Sequence, residues 1–170
     1  MSWQKEIDEL KQRRKLAKQM GGTEAIARQQ SRGRLTVRER IDLLLDEDTF
    51  KEIGTLAGRA EYDDKGELKS FTHMPRVTGY GKIRGRLVCV EGADFTIRGG
   101  WADPTSFAPI GGFTPEKMSL EWRIPFIRLL DSAGGSVLSV EAKGHTLLLG
   151  NPELGTARAA LMARVPVISA

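Results

Sequence analysis

A short apolar run that ends in a glycine-rich turn, residues 126–135, constrains the fold of this chain more than any other stretch. Pro125 precedes the run, and its length is typical of a largely buried strand. Gly134 and Gly135 at its end leave backbone N–H groups unshielded by side chains, which suits an oxyanion. Gly-Gly after a strand more commonly serves as a plain turn that needs positive φ, so the motif alone leaves both interpretations open.

Helix and strand signals alternate around this run. Thr114, Pro115 and Glu116 mark a helix start, with a capping hydroxyl, a proline at the first helical position and an acid near the positive end of the helix dipole. A further helix is predicted within residues 155–163, before a buried strand at 165–169. The order strand, helix, strand, helix, strand predicts an α/β fold.

The first 46 residues are predicted to be helical. Residues 2–20 combine strong helix formers with charges, and residues 23–27 form a second, short helix. Thr36 and Glu39 match a capping box, in which a hydroxyl and a carboxylate satisfy N–H groups that have no partner within the helix. The apolar residues that follow predict a third helix over 37–45.

The middle of the chain is predicted to form an antiparallel ribbon. Apolar and alternating segments predict strands at residues 50–53, 77–83, 86–90 and 95–97. Arg84 and Gly85 suit a hairpin turn between the second and third of these strands. Residues 61–67 have the composition of a surface loop.

The charge balance limits the classes of partner. A net charge of +4 and a pI near 9.4 suit a polyanionic ligand or a partner protein. Basic residues do not alternate with stacking aromatics, and no zinc-finger spacing occurs, so nucleic acid is not expected. The N-terminus lacks the apolar core of a signal peptide, and no apolar run approaches membrane-spanning length. We therefore expect a cytoplasmic protein that does not bind a membrane.

Four arginines lie close together in sequence before and within the third helix: Arg32, Arg34, Arg38 and Arg40. Guanidinium groups recognise phosphate through paired hydrogen bonds, and we name Arg34 and Arg38 as the candidates for a phosphate site. The alternative is ordinary surface charge beside a capped helix, which the pattern favours.

The cysteine, the two histidines and the aspartate at the end of the central strand are expected to have structural roles and not catalytic ones. Cys89 lies in an apolar run, where a small buried hydrophobe is expected rather than a nucleophile. His73 and His145 have no second histidine or cysteine at ligand spacing, so no metal site is predicted. Asp131 stands at the end of the central strand, as a catalytic acid would, but Asp-Ser more often bonds within a turn or a helix cap.

The predicted strand at 165–169 lies at the end of the sequence. A buried strand in an α/β unit normally has covering elements on both faces. We therefore expect these 170 residues to be the N-terminal piece of a larger protein, or a partner to complete the core.

Four segments occur in an order and spacing that resemble one known family. They are residues 33–46, residues 77–81 (Val-Thr-Gly-Tyr-Gly), Asp94-Phe-Thr with Gly99-Gly100, and residues 131–135 (Asp-Ser-Ala-Gly-Gly). Together they resemble the carboxyltransferase β-subunits of biotin-dependent acyl-CoA carboxylases, of the propionyl-CoA and methylcrotonyl-CoA type. The resemblance covers nearly the whole chain but only the first part of a family member.

The resemblance implies a fold and a division into domains. It implies a crotonase-like (ClpP/crotonase) spiral β-β-α fold, incomplete here and preceded by N-terminal helices. Residues 1–46 are then an N-terminal helical segment, and residues 47–170 are the first part of an N-terminal crotonase-like carboxyltransferase domain, truncated at its end.

The resemblance also implies an activity. Carboxylate passes from carboxybiotin to the alpha or vinylogous carbon of an acyl-CoA, through a stabilised enolate. Biotin is the implied cofactor, held on a separate carrier subunit, and the implied partners are that biotin carboxylase and carrier subunit and further copies of the chain. Two alternatives stay open: a decarboxylase subunit of the same superfamily, or a non-catalytic CoA-binding or assembly fragment.

Site residues follow from the resemblance position by position. Gly134, Gly135 and Ser136 are implied to form the acyl-CoA loop, which supplies one backbone N–H to the enolate oxygen. Gly99 and Gly100 match the turn near which the family binds the CoA adenine. The residues after Gly135 depart from the family pattern, and the loop at 101–113 is longer than usual, which puts acyl-chain specificity in doubt.

Overall fold

The computed structural model describes residues 2–101, 114–134 and 159–170, together with 137, 141 and 144. A single-turn 3₁₀ segment spans Arg98–Gly100. The helices and strands are α1 (Gln4–Ala17), α2 (Thr23–Gln30), α3 (Val37–Leu44), β1 (Lys51–Ile53), β2 (Gly58–Tyr62), β3 (Leu68–His73), β4 (Arg76–Ile83), β5 (Arg86–Ala93), α4 (Pro115–Trp122), β6 (Phe126–Leu129) and β7 (Val167–Ser169).

The central element is a five-stranded sheet with the order β1-β4-β5-β6-β7. β4 pairs antiparallel with β5, as the sequence predicts for the ribbon, and it also pairs antiparallel with β1. β5 pairs parallel with β6, and β6 pairs parallel with β7. Parallel neighbours require crossover connections, and α4 lies in the first of them. The predicted α/β fold is confirmed.

Each face of the sheet carries its own hydrophobic core. On one face, α3 packs Val37 and Ile41 against strand residues of β4, β5 and β6. On the other face, α4 contributes Met118 to a second cluster, which also contains Leu161 and Val165. Alternate residues of a strand point to opposite faces, so β5 supplies Val88 and Val90 to the first core and Cys89 to the second.

Cys89 is a buried structural residue, as predicted. Its side chain has no solvent exposure, and its thiol lies 3.5 Å from the carbonyl oxygen of Pro115 at the start of α4. Burial raises the pKa of the thiol to about 12. Because only the thiolate is a strong nucleophile, Cys89 is unreactive near neutral pH.

The capping box at the start of α3 forms as predicted. The Glu39 N–H donates to the Thr36 hydroxyl at 3.4 Å, and the Glu39 carboxylate accepts from the Thr36 N–H at 2.6 Å. The Thr36 hydroxyl also donates to the Glu39 carboxylate, at 2.8 Å. The bonds that the carboxylate accepts from the Thr36 N–H and hydroxyl lower the pKa of Glu39. Thr114 caps α4 in the same way, by accepting from the Lys117 N–H at 3.1 Å. Both helices therefore begin where their capping residues place them.

One local prediction is wrong, and a second is correct for only part of its residues. Residues 95–97 form a turn and not a strand, because the Asp94 carboxylate accepts the Thr96 N–H at 3.0 Å and closes an Asx turn. Residues 61–67 are not simply a loop: Glu61 and Tyr62 end β2, which pairs antiparallel with β3 as a separate two-stranded sheet. Charged residues in a half-exposed hairpin carry little strand signal, which explains the second error.

Helix bounds in the rest of the chain differ only at their ends. α1 ends at Ala17, three residues before the predicted end, and α2 extends to Gln30. Residues 159–162 are helical, as expected, while the earlier part of that predicted helix lies outside the described residues. No helix within the described residues is long and apolar enough to cross a bilayer.

The division of the chain into an N-terminal helical segment, residues 1–46, and a carboxyltransferase domain, residues 47–170, stays a prediction.

We expect Thr36→Ala to lower the free energy of unfolding by about 1 kcal/mol, because it removes the hydroxyl that caps α3. Thr36→Ser is the matched control, since it retains the hydroxyl. Urea denaturation of the three proteins measures the difference. An equal loss in both variants would contradict the capping role.

Asp46 links the end of α3 to the turn between β4 and β5. Its carboxylate accepts the Gly85 N–H at 2.7 Å and the Arg84 N–H at 2.8 Å, and these bonds lower the pKa of Asp46. A carboxyl whose folded pKa is depressed stabilises the fold above its unfolded pKa, about 3.9 for Asp. That stabilisation is lost as the pH falls through the lower, folded pKa.

Asp46→Asn should therefore be less stable than the wild type at neutral pH, and the two should converge as the pH falls below about 4. Urea denaturation at several pH values measures the gap between their free energies of unfolding. A gap that stays constant down to acid pH would show that the charge of Asp46 contributes nothing.

Candidate active-site loop and its anion cavity

The ends of two parallel strands meet at one edge of the sheet. β5 and β6 run side by side, with Gly92 opposite Leu129 as their last pair. The chain that leaves β5 forms the turn at Arg98–Gly100, and the chain that leaves β6 forms the loop at 131–134. The Ala133 N–H donates to the carbonyl of Gly99 at 2.8 Å, so the two segments are joined directly. Two of the predicted site segments therefore form one unit.

The two glycines of the turn are required by close packing. Gly100 has φ 70°, and a Cβ there would lie 2.2 Å from the carbonyl oxygen of Asp131. Gly99 has φ 64°, and its Cβ would lie 3.1 Å from the Cβ of Ala133. Only glycine combines positive φ with the absence of a side chain at so short a distance. The glycine pair thus lets the backbone of the turn lie against the loop.

Gly134 has open space around it. Its φ is 89°, and no atom of the described residues lies within 4 Å of the place where a Cβ would be. The Gly134 N–H donates to the hydroxyl of Ser132 at 3.2 Å, in an exposed contact. This local bond can exchange for a ligand oxygen at little cost, because both partners reach water. Gly135 and Ser136, the other two predicted loop residues, lie outside the described residues.

Asp131 is held by side chains from the N-terminal helical part of the chain. Its carboxylate accepts from the Gln29 amide at 3.4 Å and lies 3.8 Å from the Arg34 guanidinium. Gln29 is 5% exposed and also donates to the carbonyl of Leu35 at 2.8 Å. Asp131 therefore anchors the loop to the segment around α2, and within the described residues its side chain makes no turn or cap bond of the kind expected from the sequence.

A cavity of about 400 Å³ lies beside the Gly99 turn. Four arginines from two regions of the chain surround it: Arg28, Arg32, Arg34 and Arg98. The Arg34 guanidinium lies 5.6 Å from the centroid of the Phe95 ring, in a cation–π contact. Arg34 forms an ion pair with Asp131. Within the described residues, the other three arginines form no ion pair. The cavity is therefore strongly cationic.

The structure separates the two predicted phosphate-binding arginines. Arg34 lines the cavity, whereas the Arg38 guanidinium makes two hydrogen bonds to the Glu52 carboxylate, at 2.8 and 3.0 Å. Arg38 borders a different, smaller cavity of about 200 Å³ together with Lys18. Its pairing with Glu52 joins α3 to β1, which is a structural role.

Two buried polar groups are not among the predicted site residues. The His73 Nδ1 is 2.6 Å from the carbonyl of Met74, and among the described residues its Nε2 has no partner. Asp94 is 1% exposed, and burial raises the pKa of its carboxyl. His145 lies outside the described residues. Within the described ranges, no three potential metal ligands come together.

Sequence reasoning missed Gln29, Arg28 and Arg98 as parts of the site. Arg98 directly precedes the glycine pair, so the sequence alone could have indicated that it belongs to the site. Gln29 and Arg28 are more than 60 residues from the turn, and only tertiary packing brings them there. No local pattern reports such a contact.

Comparison with known proteins gives the family. The model of the carboxyl transferase domain family matches residues 28–170. The chain is 34% identical to the propionyl-CoA carboxylase carboxyltransferase subunit of Haloferax mediterranei, over 81% of this chain and 26% of that protein. It is 29% identical to the methylmalonyl-CoA decarboxylase subunit alpha of Veillonella parvula, over 79% of this chain and 26% of that protein.

The fold matches a solved structure as well. The transcarboxylase 12S crystal structure with methylmalonyl-coenzyme A and methylmalonic acid bound superposes with a TM-score of 0.74 and 26% identity, over 99% of this chain and 32% of that one. The predicted crotonase-like fold is thereby confirmed. The chain spans about a quarter of the length of the curated relatives it matches. It belongs to the carboxyl transferase domain family, in the branch of the biotin-dependent acyl-CoA carboxylases.

Proposed function

We propose that this chain supplies the acyl-CoA-binding loop of a carboxyltransferase, which transfers carboxylate from carboxybiotin to the alpha or vinylogous carbon of an acyl-CoA. The observation that carries the proposal is the hydrogen bond from the Ala133 N–H to the Gly99 carbonyl. It unites the two segments for which family resemblance implies CoA binding and enolate stabilisation. Membership of the carboxyl transferase family supports the same chemistry.

The chemistry requires fixed donors at one oxygen. Removing the proton beside a thioester places negative charge on the thioester oxygen, and a preorganised N–H aimed at that oxygen stabilises the enolate. One such donor contributes about 3 to 4 kcal/mol to the transition state. We assign this role to the backbone of Gly134, Gly135 and Ser136. Gly134 fits it, because its N–H is exposed and only locally bonded.

The turn at Gly99 and Gly100 sets the position of that loop. Its backbone carbonyl holds the loop through Ala133, and the lack of a Cβ at Gly100 lets Asp131 approach. The CoA nucleotide is proposed to bind on the side of this turn, as the resemblance implies. Carboxybiotin on a separate carrier subunit would supply the carboxylate, and the biotin left behind would take up the proton that leaves the carbon, as the resemblance implies. We assign none of the described residues to it.

A decarboxylase subunit is the second candidate function. The 29% identity to a methylmalonyl-CoA decarboxylase subunit favours it, because the same loop can serve transfer in the opposite direction, from acyl-CoA to biotin. A non-catalytic CoA-binding or assembly fragment is the third. Assembly with copies of itself and with a biotin carrier, and residence in the cytoplasm, remain proposals; one solved relative is described as a hexamer assembly.

The test is transfer of radiolabelled carboxylate by the protein that carries this chain, at its full native length. Carboxybiotin on its carrier subunit is mixed with propionyl-CoA or methylcrotonyl-CoA, and the CoA ester is then isolated. Label in the CoA ester supports the carboxylase. Label that moves only from a carboxylated CoA ester to biotin selects the decarboxylase, and CoA binding without transfer in either direction selects the non-catalytic fragment.

Gly100→Ala should lower the transfer rate by roughly a hundredfold, because the new Cβ meets the Asp131 carbonyl and displaces the loop that carries the enolate donor. Gly66→Ala is the matched control. Gly66 also has positive φ, 75°, but nothing in the described part of the chain lies within 4 Å of its Cβ position. Both variants carry similar backbone strain, so equal transfer rates in the two would contradict the role of the turn.

A further inference from the structure

We propose that α1 pairs with α1 of a second copy of this chain, as two antiparallel helices in contact along an apolar stripe formed by Trp3, Ile7 and Leu10. The contact involves none of the residues assigned above to acyl-CoA. It rests neither on the proposed function nor on the match to the family model, which begins at residue 28. Exposure and charge within α1 carry the inference.

α1 leaves a row of large apolar side chains in contact with water. Trp3 is 72% exposed, Ile7 43% and Leu10 41%. The Ile7 N–H donates to the Trp3 carbonyl at 3.0 Å, so Trp3 begins the first turn of the helix. Residues spaced by four and three positions lie one above another on a helix, so the three side chains form one stripe. Neighbouring apolar side chains that stay exposed are typical of a contact with another protein.

A different side of α1 packs against the hairpin of β2 and β3. Lys5 donates to the Glu67 carboxylate at 2.8 Å, and the Tyr62 hydroxyl donates to the Glu9 carboxylate at 2.9 Å. Ala17 is the one buried residue among the 14 residues of the helix. A helix of this length with so little buried surface is only marginally stable by itself. A partner on the stripe would therefore stabilise it.

The charges of α1 identify the partner as a second copy. Residues 4–10 carry three carboxylates and one lysine, whereas residues 11–17 carry four basic residues and no acidic one. An antiparallel copy brings the acidic half of each helix beside the basic half of the other, while a parallel copy would bring like charges together. The helix is thus complementary to itself in one orientation. A two-fold pair makes the same contacts twice.

The stripe also sets a register for the pair. When Ile7 of one copy lies opposite Leu10 of the other, apolar side chains meet at the centre and Trp3 lies opposite Arg14. Helical side chains lean toward the N-terminus of their own helix, so each Arg14 would reach the Trp3 ring and the Glu6 carboxylate of the facing copy. Glu6 and Arg14 are both exposed, and in the described part of the chain the ion pairs of α1 involve neither of them.

A cross-link without a spacer tests this contact in the full-length protein. In the Arg14→Lys variant, a carbodiimide joins the Glu6 carboxylate to the introduced amine only where the two touch. Positions 6 and 14 of one helix are about 12 Å apart, so an amide between them must join two copies. We expect a covalent dimer whose digest contains that linked peptide. Glu6→Gln/Arg14→Lys is the matched control, because it lacks the carboxylate.

Charge reversal tests the antiparallel orientation. Glu6→Lys and Arg14→Glu each bring like charges together, and each should weaken association in sedimentation experiments about tenfold. The double variant Glu6→Lys/Arg14→Glu restores opposite charges, so it should associate like the wild type and give a carbodiimide link between positions 6 and 14. Glu24→Lys is the matched control, because Glu24 is exposed and lies in the first turn of α2, as Glu6 does in α1. Thermal melting checks that all variants remain folded.

Three results would overturn the proposal. If Arg14→Lys gives no link between positions 6 and 14, the two helices do not meet in this register. If Glu6 is linked instead to a residue outside α1, another segment of the protein covers the stripe. If the double variant associates no better than the single variants, the two charges do not face each other. Each of these results leaves the proposed function intact, because none of the measurements depends on carboxylate transfer.

Discussion

The parallel pairing of β5 and β6 is the constraint on which the rest of the structure depends. Parallel neighbours end at the same edge of a sheet, so the segments that follow them, Arg98–Gly100 and residues 131–134, are brought together although they are about 30 positions apart in the sequence. Burial on both faces holds this pairing, with α3 packed on one face and α4 on the other. The site is thus a consequence of topology before it is a consequence of any single residue.

The features at that edge separate two chemical tasks. Backbone groups of the loop at 131–134 are suited to stabilise charge that develops during a reaction, because they are fixed by the hydrogen bond from Ala133 to Gly99. The neighbouring cavity is lined by arginine side chains, whose permanent positive charge suits it to bind an anion. Asp131 and Arg34 lie between the two and connect them.

Local chemistry made most of the fold predictable. The Thr36–Glu39 capping box, the Thr114 cap and the Arg84-Gly85 turn each act within a few residues, so their signals stand in the sequence. The failures have two different physical reasons. Asp94 turns the chain through its own side chain where apolar residues predicted a strand, and Gln29 joins the site through a contact with Asp131 across 102 positions, which no local pattern records.

The most direct test of the account is a crystal structure of the full-length protein with a non-reactive acyl-CoA analogue. The account predicts the thioester oxygen about 3 Å from a backbone nitrogen of the loop that follows β6, with the CoA nucleotide beside the Gly99 turn. An analogue bound with its thioester away from that loop would contradict the central claim, that the meeting of these two strand ends forms the acyl-CoA site.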